Sequence, residues 1–248
     1  MGKLKGIIQI TGKIDGLSFY EVGGKIVVRK TGGFDGKAIK EQDKYVRTRE
    51  NATEFGHCAT VGKQLRRALF WYAKKMNMPY LHSRVGGLMT QIMKCDTESS
   101  RGERTVAQGL LSAPGKDLLK GFEFHNTMTL WNMIRLSYDV LLEEGKVVFK
   151  DFDMRSILFP VGATHLSLQF LQLRFDFSNG HYLLEKGDVV RIAASDSRDD
   201  LVLTAPFIPA TSDLNGVLLG LVFGEFLQEV NGENYGLEGC VLRVVGCG

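Results

Sequence analysis

Cysteine and proline are scarce, with four and five among 248 residues. No Cys-x-x-Cys pair exists, and His57 beside Cys58 has no second ligand pair at metal spacing. A cysteine framework and a metal site are therefore excluded, and buried free thiols are expected. Few prolines leave little room for long disordered tracts. The longest apolar run, Val217 to Phe223, is far too short to cross a bilayer, so no membrane partner is expected. The opening Met1-Gly2-Lys3-Leu4-Lys5-Gly6 lacks the apolar stretch of a secretory signal, and Gly6 stands where myristoylation needs Ser or Thr. A cytoplasmic address is expected.

Catalytic signatures are missing as well. There is no Gly-x-Gly-x-x-Gly after a strand, no Walker loop, no Gly-x-Ser-x-Gly elbow and no His-Glu-x-x-His. The histidines, His57, His82, His125, His165 and His181, fall in separate segments. Nucleophilic catalysis needs a base and an orienting group together, which scattered histidines do not supply. Asp196-Ser197-Arg198-Asp199-Asp200 lacks the Gly and terminal Glu of an EF-hand and reads as a solvated turn. No cofactor and no enzymatic activity are expected. A deep pocket lined by histidines or paired carboxylates would reverse that expectation.

What the chain does have is a charge split. Residues 1–120 carry 22 Lys+Arg against 11 Asp+Glu, a net +11; residues 121–248 carry 9 against 17, a net −8. A chain with a positive and a negative half attracts a polyanion, or copies of itself.

The pattern divides into three regions: a β-meander arm at 1–36, a helical segment at 37–126 and a β-sandwich at 127–248. In the arm, Ile7 to Thr11, Leu17 to Val22 and Lys25 to Lys30 read as strands, with a turn at Lys13 to Gly16 and a two-residue Gly23-Gly24 hairpin. So small a sheet is marginal alone and must pack on its own chain or on a neighbour. In the helical segment, Phe55, Cys58, Ala59, Gly62, Leu65, Leu69, Tyr72 and Met76 recur at helical spacing, with Asp43 as N-cap and Pro79 beyond the end. Tyr80, Leu81, Val85, Leu88, Met89, Ile92 and Met93 form the stripe of a second helix, weakened by Gly86-Gly87. A third piece, about 103–111, is closed by Ser112-Ala113-Pro114-Gly115, and 116–122 adds one more turn.

Beyond 127 the period becomes two. Leu166, Leu168 and Phe170 alternate with polar residues, and then Leu171, Leu173, Phe175 and Phe177 do so in the opposite phase, which predicts a β-bulge. Turns are expected at Ser178-Asn179-Gly180, Asn215-Gly216 and Asn231-Gly232. Strands near 147–152, 188–194, 201–205, 216–227 and 239–245 complete an antiparallel sandwich. Even spacing places Gly216, Gly220 and Gly224 on one strand face with Leu218, Val222 and Phe226. The fold class is α+β: an N-terminal antiparallel β-meander, central helices and a C-terminal antiparallel β-sandwich.

The candidate contact surface is basic. Lys63, Arg66, Arg67, Phe70, Trp71, Lys74 and Lys75 lie opposite the apolar stripe of the first long helix, with two aromatics among the cations. The rings are expected to bury against the sandwich or another subunit. The alternative is a nucleic-acid surface, with phosphates on Lys/Arg and bases stacked on the rings. A plain solvated face is the third reading.

Arg47-Thr48-Arg49-Glu50-Asn51-Ala52-Thr53-Glu54-Phe55-Gly56 resembles a segment of a family of uncharacterised bacterial proteins. Their layout is similar too: a Gly-Lys-x-Lys-Gly start, a strand pair, helices and a β-rich tail, matched here by Phe226 to Tyr235. The resemblance implies no activity. Arg47, Arg49, Glu50 and Glu54 are suited to ion pairs within the helix or across an interface. Together these observations predict a non-enzymatic structural protein that self-assembles as a homo-oligomer, ring or filament. A nucleic-acid-binding module built on residues 63–75 is the alternative.

Overall fold

The computed structural model describes residues 2–3, 10–31, 36–153, 155, 157–196, 200–211, 213–237 and 239–248. The chain divides into two compact units, Met1–Arg49 and Glu50–Gly248.

The first unit holds strands β1 (Gly2–Lys3), β2 (Gly12–Ile14), β3 (Leu17–Val22) and β4 (Lys25–Lys30) in an antiparallel sheet of order β1-β4-β3-β2. Gly23 and Gly24, with φ of 57° and 73°, close the β3–β4 hairpin with Val22 opposite Lys25. Both central residues of such a turn need positive φ, which glycine adopts without strain. Asp15 and Gly16 turn β2 into β3 in the same way. The strand expected at Ile7–Thr11 falls largely outside the described residues, and Ile10 and Thr11 are not in a strand. Helix α1 (Gly36–Glu41) leads to a 3-10 turn, Asp43–Tyr45. Asp43 is the first residue of that turn rather than an N-cap; Arg49 Nη1 instead fastens the α1 end by donating to the carbonyls of Ile39 (2.7 Å) and Gln42 (3.0 Å). Among the unit's described residues only Ile26 is buried.

The second unit contains helices α2 (Val46–Ala68, whose first turn falls in the first unit), α3 (Phe70–Met76), α4 (Leu81–Met93), α5 (Val106–Gly109), α6 (Ala113–Leu119) and α7 (Leu130–Met133). Its strands are β5 (Tyr138–Leu141), β6 (Lys146–Phe149), β7 (His165–Phe175), β8 (Tyr182–Lys186), β9 (Val190–Ala193), β10 (Leu201–Thr204), β11 (Val217–Val230), β12 (Glu233–Gly236) and β13 (Val241–Cys247). β7 and β11 form the spine of a six-stranded antiparallel sheet. β12 and β13 pair with β11, and β8 and β9 pair with β7. A smaller antiparallel sheet has the order β10-β6-β5.

Three layers result. Leu171, Leu173, Phe175, Leu219, Leu221 and Phe223 pack with α2, α3, α4 and α6 in one core. Leu166, Leu168, Phe170, Val222 and Phe226 pack with Val147, Phe149, Leu201 and Leu203 of the small sheet in another. The helices and the sandwich therefore share the central sheet instead of following one another as separate bodies. This corrects the bulge: β7 pairs with β11 without a break from His165↔Leu227 to Phe175↔Val217. Even-numbered residues face the small sheet and odd-numbered ones the helices. The apparent slip marks where the better-covered face changes along the strand. Polar residues on the other phase are buried and bonded, Gln172 Nε2 to the Leu142 carbonyl and Arg174 to the Ile208 and Gly216 carbonyls. The pairing irregularity that does occur lies between β11 and β13 at Gly220/Leu221.

Gly220 and Gly224 do face the sandwich core, where added Cβ atoms would lie 2.7 Å from Leu142 and from Met133. Asn215-Gly216 runs into β11 without a hairpin, whereas Asn231-Gly232 (φ 54° and 80°) closes β11–β12. Ser112 to Pro114 begin a helix instead of ending one: Ser112 Oγ accepts from the Gly115 N–H and Pro114 sits in the first turn of α6. Three expected stripe residues face solvent, Phe55 (70% exposed), Ala59 and Tyr80 (76%). Of the Asp196–Asp200 segment, residues 197–199 lie outside the described residues.

Candidate interface on the basic helix

The C-terminal part of α2 and all of α3 carry the basic face. Cys58, Val61, Leu65, Ala68, Leu69, Tyr72 and Met76 turn inward, so the residues between them turn outward. Lys63 and Arg67 are exposed, and Arg66 is half-buried with its Nε donating to the Gly62 carbonyl at 3.2 Å. The helix breaks at Leu69 and restarts with Phe70, 51% exposed, and Trp71, 68% exposed. Their rings meet edge to face with centroids 5.5 Å apart. The expected burial of these two rings against the sandwich does not occur: the inward positions are filled by Leu69 and Tyr72.

Lysines cap the aromatic rings. Lys74 Nζ stands 5.9 Å from the Trp71 centroid, Lys75 Nζ 5.6 Å from Phe223, and Lys186 Nζ 5.9 Å from Tyr72. Lys75 also reaches the buried carboxylate of Glu225 on β11, at 2.8 and 2.6 Å. Tyr72 donates to Gln169 Oε1 on β7 at 2.9 Å, and burial pushes its hydroxyl pKa up to about 12. A cleft of about 200 Å³ opens here, lined by Trp71, Tyr72, Ser167, Gln169, Lys186 and Glu225 among others. A second, of about 510 Å³, lies beyond the Lys75–Glu225 pair, with His125 and Cys240 in its wall.

Arg47 and Arg49 lie apart from this face, in the first turn of α2. Arg47 is exposed, and Arg49 makes the carbonyl contacts described above. Glu50 and Glu54 are not confined to their own helix. Arg101 Nε stands 3.4 Å from Glu50, and Arg101 Nη2 donates to Asn51 at 2.9 Å. Arg104 grips Glu54 with two bonds of 2.7 and 2.8 Å, and the Gly102 N–H adds a third. The Arg104 bonds hold the Glu54 carboxyl below its ordinary value against the opposing pull of burial. One turn on, His57 Nε2 accepts from the Val106 N–H at 3.1 Å. Glu50, Asn51, Glu54 and His57 therefore clasp residues 101–106.

Neither thiol nor imidazole shows activation here. Burial raises Cys58, Cys240 and Cys247, the last to about 11, and lowers His57 and His125. Cys58 donates to Met93 Sδ at 3.6 Å, away from the bond His57 makes. No group of His, Cys, Asp and Glu suited to a metal ion occurs among the described residues, and no helix there is long and apolar enough to cross a membrane. Sequence reasoning missed Tyr72, Glu225 and Lys186 as parts of this surface. The cation-aromatic alternation on α3 marked the place, but partners on β7, β8 and β11 leave no local signal. Comparison with family models, curated proteins and solved structures finds no match to this chain.

Proposed function

We propose that the chain is a non-enzymatic structural protein that self-assembles, its basic N-terminal unit docking on the acidic C-terminal half of a second copy. The observation that carries this reading is the state of the N-terminal sheet. It has four strands and a well-formed pair of hairpins, yet Ile26 alone is buried among its described residues, while Ile14 (51%), Leu17 and Val22 (56%) remain exposed. Exposed apolar residues on so small a sheet favour a partner surface. Charge supplies the direction. Residues 1–49 carry 11 Lys+Arg against 5 Asp+Glu, a net +6, and residues 50–248 carry 20 against 23, a net −3. Opposite charges on one chain favour head-to-tail contacts, which close into rings or continue as filaments.

Light scattering coupled to size exclusion tests this at low and high salt. The expected result is a particle of several 27.6 kDa chains that dissociates as salt rises. A monomer of constant mass at every protein concentration and at low salt overturns it.

A further inference from the structure

The cleft beside Trp71 has a chemistry that the proposed docking of the N-terminal unit does not call on. Trp71, 68% exposed, stands at its mouth with Lys74 Nζ 5.9 Å from its ring, Phe70 extends that surface, and Lys186 and Lys75 flank the interior. Exposed Lys63, Arg67 and Lys74 continue the positive charge along the same helical face. Glu225, the one carboxylate lining the cleft among the described residues, is already paired with Lys75. At about 200 Å³ the cleft is smaller than the roughly 300–1,000 Å³ of sites for drug-sized ligands. It suits one planar ring system with the rest of the ligand outside.

We infer that this face binds single-stranded nucleic acid, with one base stacked on Trp71 and phosphates along Lys63, Arg67, Lys74 and Lys186. Charge complementarity selects this occupant: an apolar partner would desolvate these cations without pairing them, whereas a phosphate backbone pairs them and an aromatic ring is a general platform for bases. The floor of the cleft carries little means of reading base identity. The Gln169 amide is committed on both sides, accepting from Tyr72 and donating to the Gly187 carbonyl at 2.8 Å. Binding is therefore expected to be indifferent to sequence.

The test uses the full chain with a fluorescein-labelled oligothymidylate, read by anisotropy and by tryptophan quenching, while scattering in the same buffer records particle mass. The expected result is binding that weakens steeply with salt, is about tenfold weaker in Trp71→Ala, and is largely retained in Trp71→Phe. Lys74→Glu with Arg67→Glu should flatten the slope of log K against log salt by about 1.4, roughly 0.7 for each lost phosphate contact. Trp131→Phe should leave binding unchanged and raise the fraction of the tryptophan emission that is quenched, since the remaining ring is Trp71. No binding at low salt, or equal binding by wild type and Trp71→Ala, overturns the inference. So does a fall in particle mass in Trp71→Ala, which would assign this face to a second copy. Trp71 is exposed, so its variants are expected to fold, and circular dichroism checks that.

Discussion

The N-terminal sheet and the sheet built on β7 and β11 follow the same antiparallel pairing rules and share the same kind of positive-φ hairpin turn. Their surroundings differ. Nine of the eleven residues of β7 are buried, between helices on one face and the small sheet on the other, whereas Ile26 alone is buried in the described part of the first. Hydrogen-bonded pairing and turn chemistry suffice to specify a sheet. Stability comes from what covers its faces, because apolar burial is the dominant favourable contribution and pairing exchanges one set of hydrogen bonds for another.

That contrast is open to direct attack. Phe170→Ala removes a fully buried ring from the sandwich core and should lower stability by about 3–5 kcal/mol in urea unfolding. Phe19→Ala, on half-buried β3, should lower it by less than about 1 kcal/mol in the same measurement. Equal losses would mean that the N-terminal sheet has a core of its own strength.

Glu54→Gln sharpens the comparison on the helix that joins the two units. The substitution removes the charge and one of the two oxygens that accept from Arg104, and should destabilise by about 1–2 kcal/mol at neutral pH. The folded-state pKa of Glu54 is depressed, so its contribution is present above the unfolded value of about 4.3 and is lost as pH falls through the folded value. Thermal melts of wild type and Glu54→Gln should therefore converge as pH drops below about 4. A gap that persists in acid would remove the charge from the explanation.

Gly24→Ala places a side chain at φ 73° and should weaken the β3–β4 hairpin by about 1 kcal/mol. Because the second unit holds most of the core, the effect should appear as reduced particle mass in scattering, with little change in the main melt. Smallest of all, Phe55→Ala should change stability by less than about 0.5 kcal/mol, since the ring is 70% exposed. A larger loss would restore Phe55 to the buried stripe.

Local signals carried much of the fold. Gly23-Gly24 and Asn231-Gly232 named their hairpins, and the stripe from Leu81 to Met93 named α4 apart from Tyr80. Phe55 and Glu54 show where such reading fails. Hydrophobicity placed the phenylalanine inside, yet the inward position belongs to Glu54 because Arg104, fifty residues away, satisfies its charge. Phe70 and Trp71 failed in the opposite direction, since their neighbours Leu69 and Tyr72 fill the inward positions. The basic stripe was legible as a pattern of residue types, while Lys75–Glu225 joins positions 150 residues apart and could not be.

By itself the sequence determined the α+β class, the Gly23-Gly24 and Asn231-Gly232 turns, the helix period of α4 and the charge polarity, because these depend on residues within a few positions of one another. The tertiary structure decided that β7 serves two cores with one unbroken register, that Glu54 is buried and that Trp71 is exposed. Each of those depends on which distant surface covers a given face, and coverage is a property of the packed chain rather than of any segment.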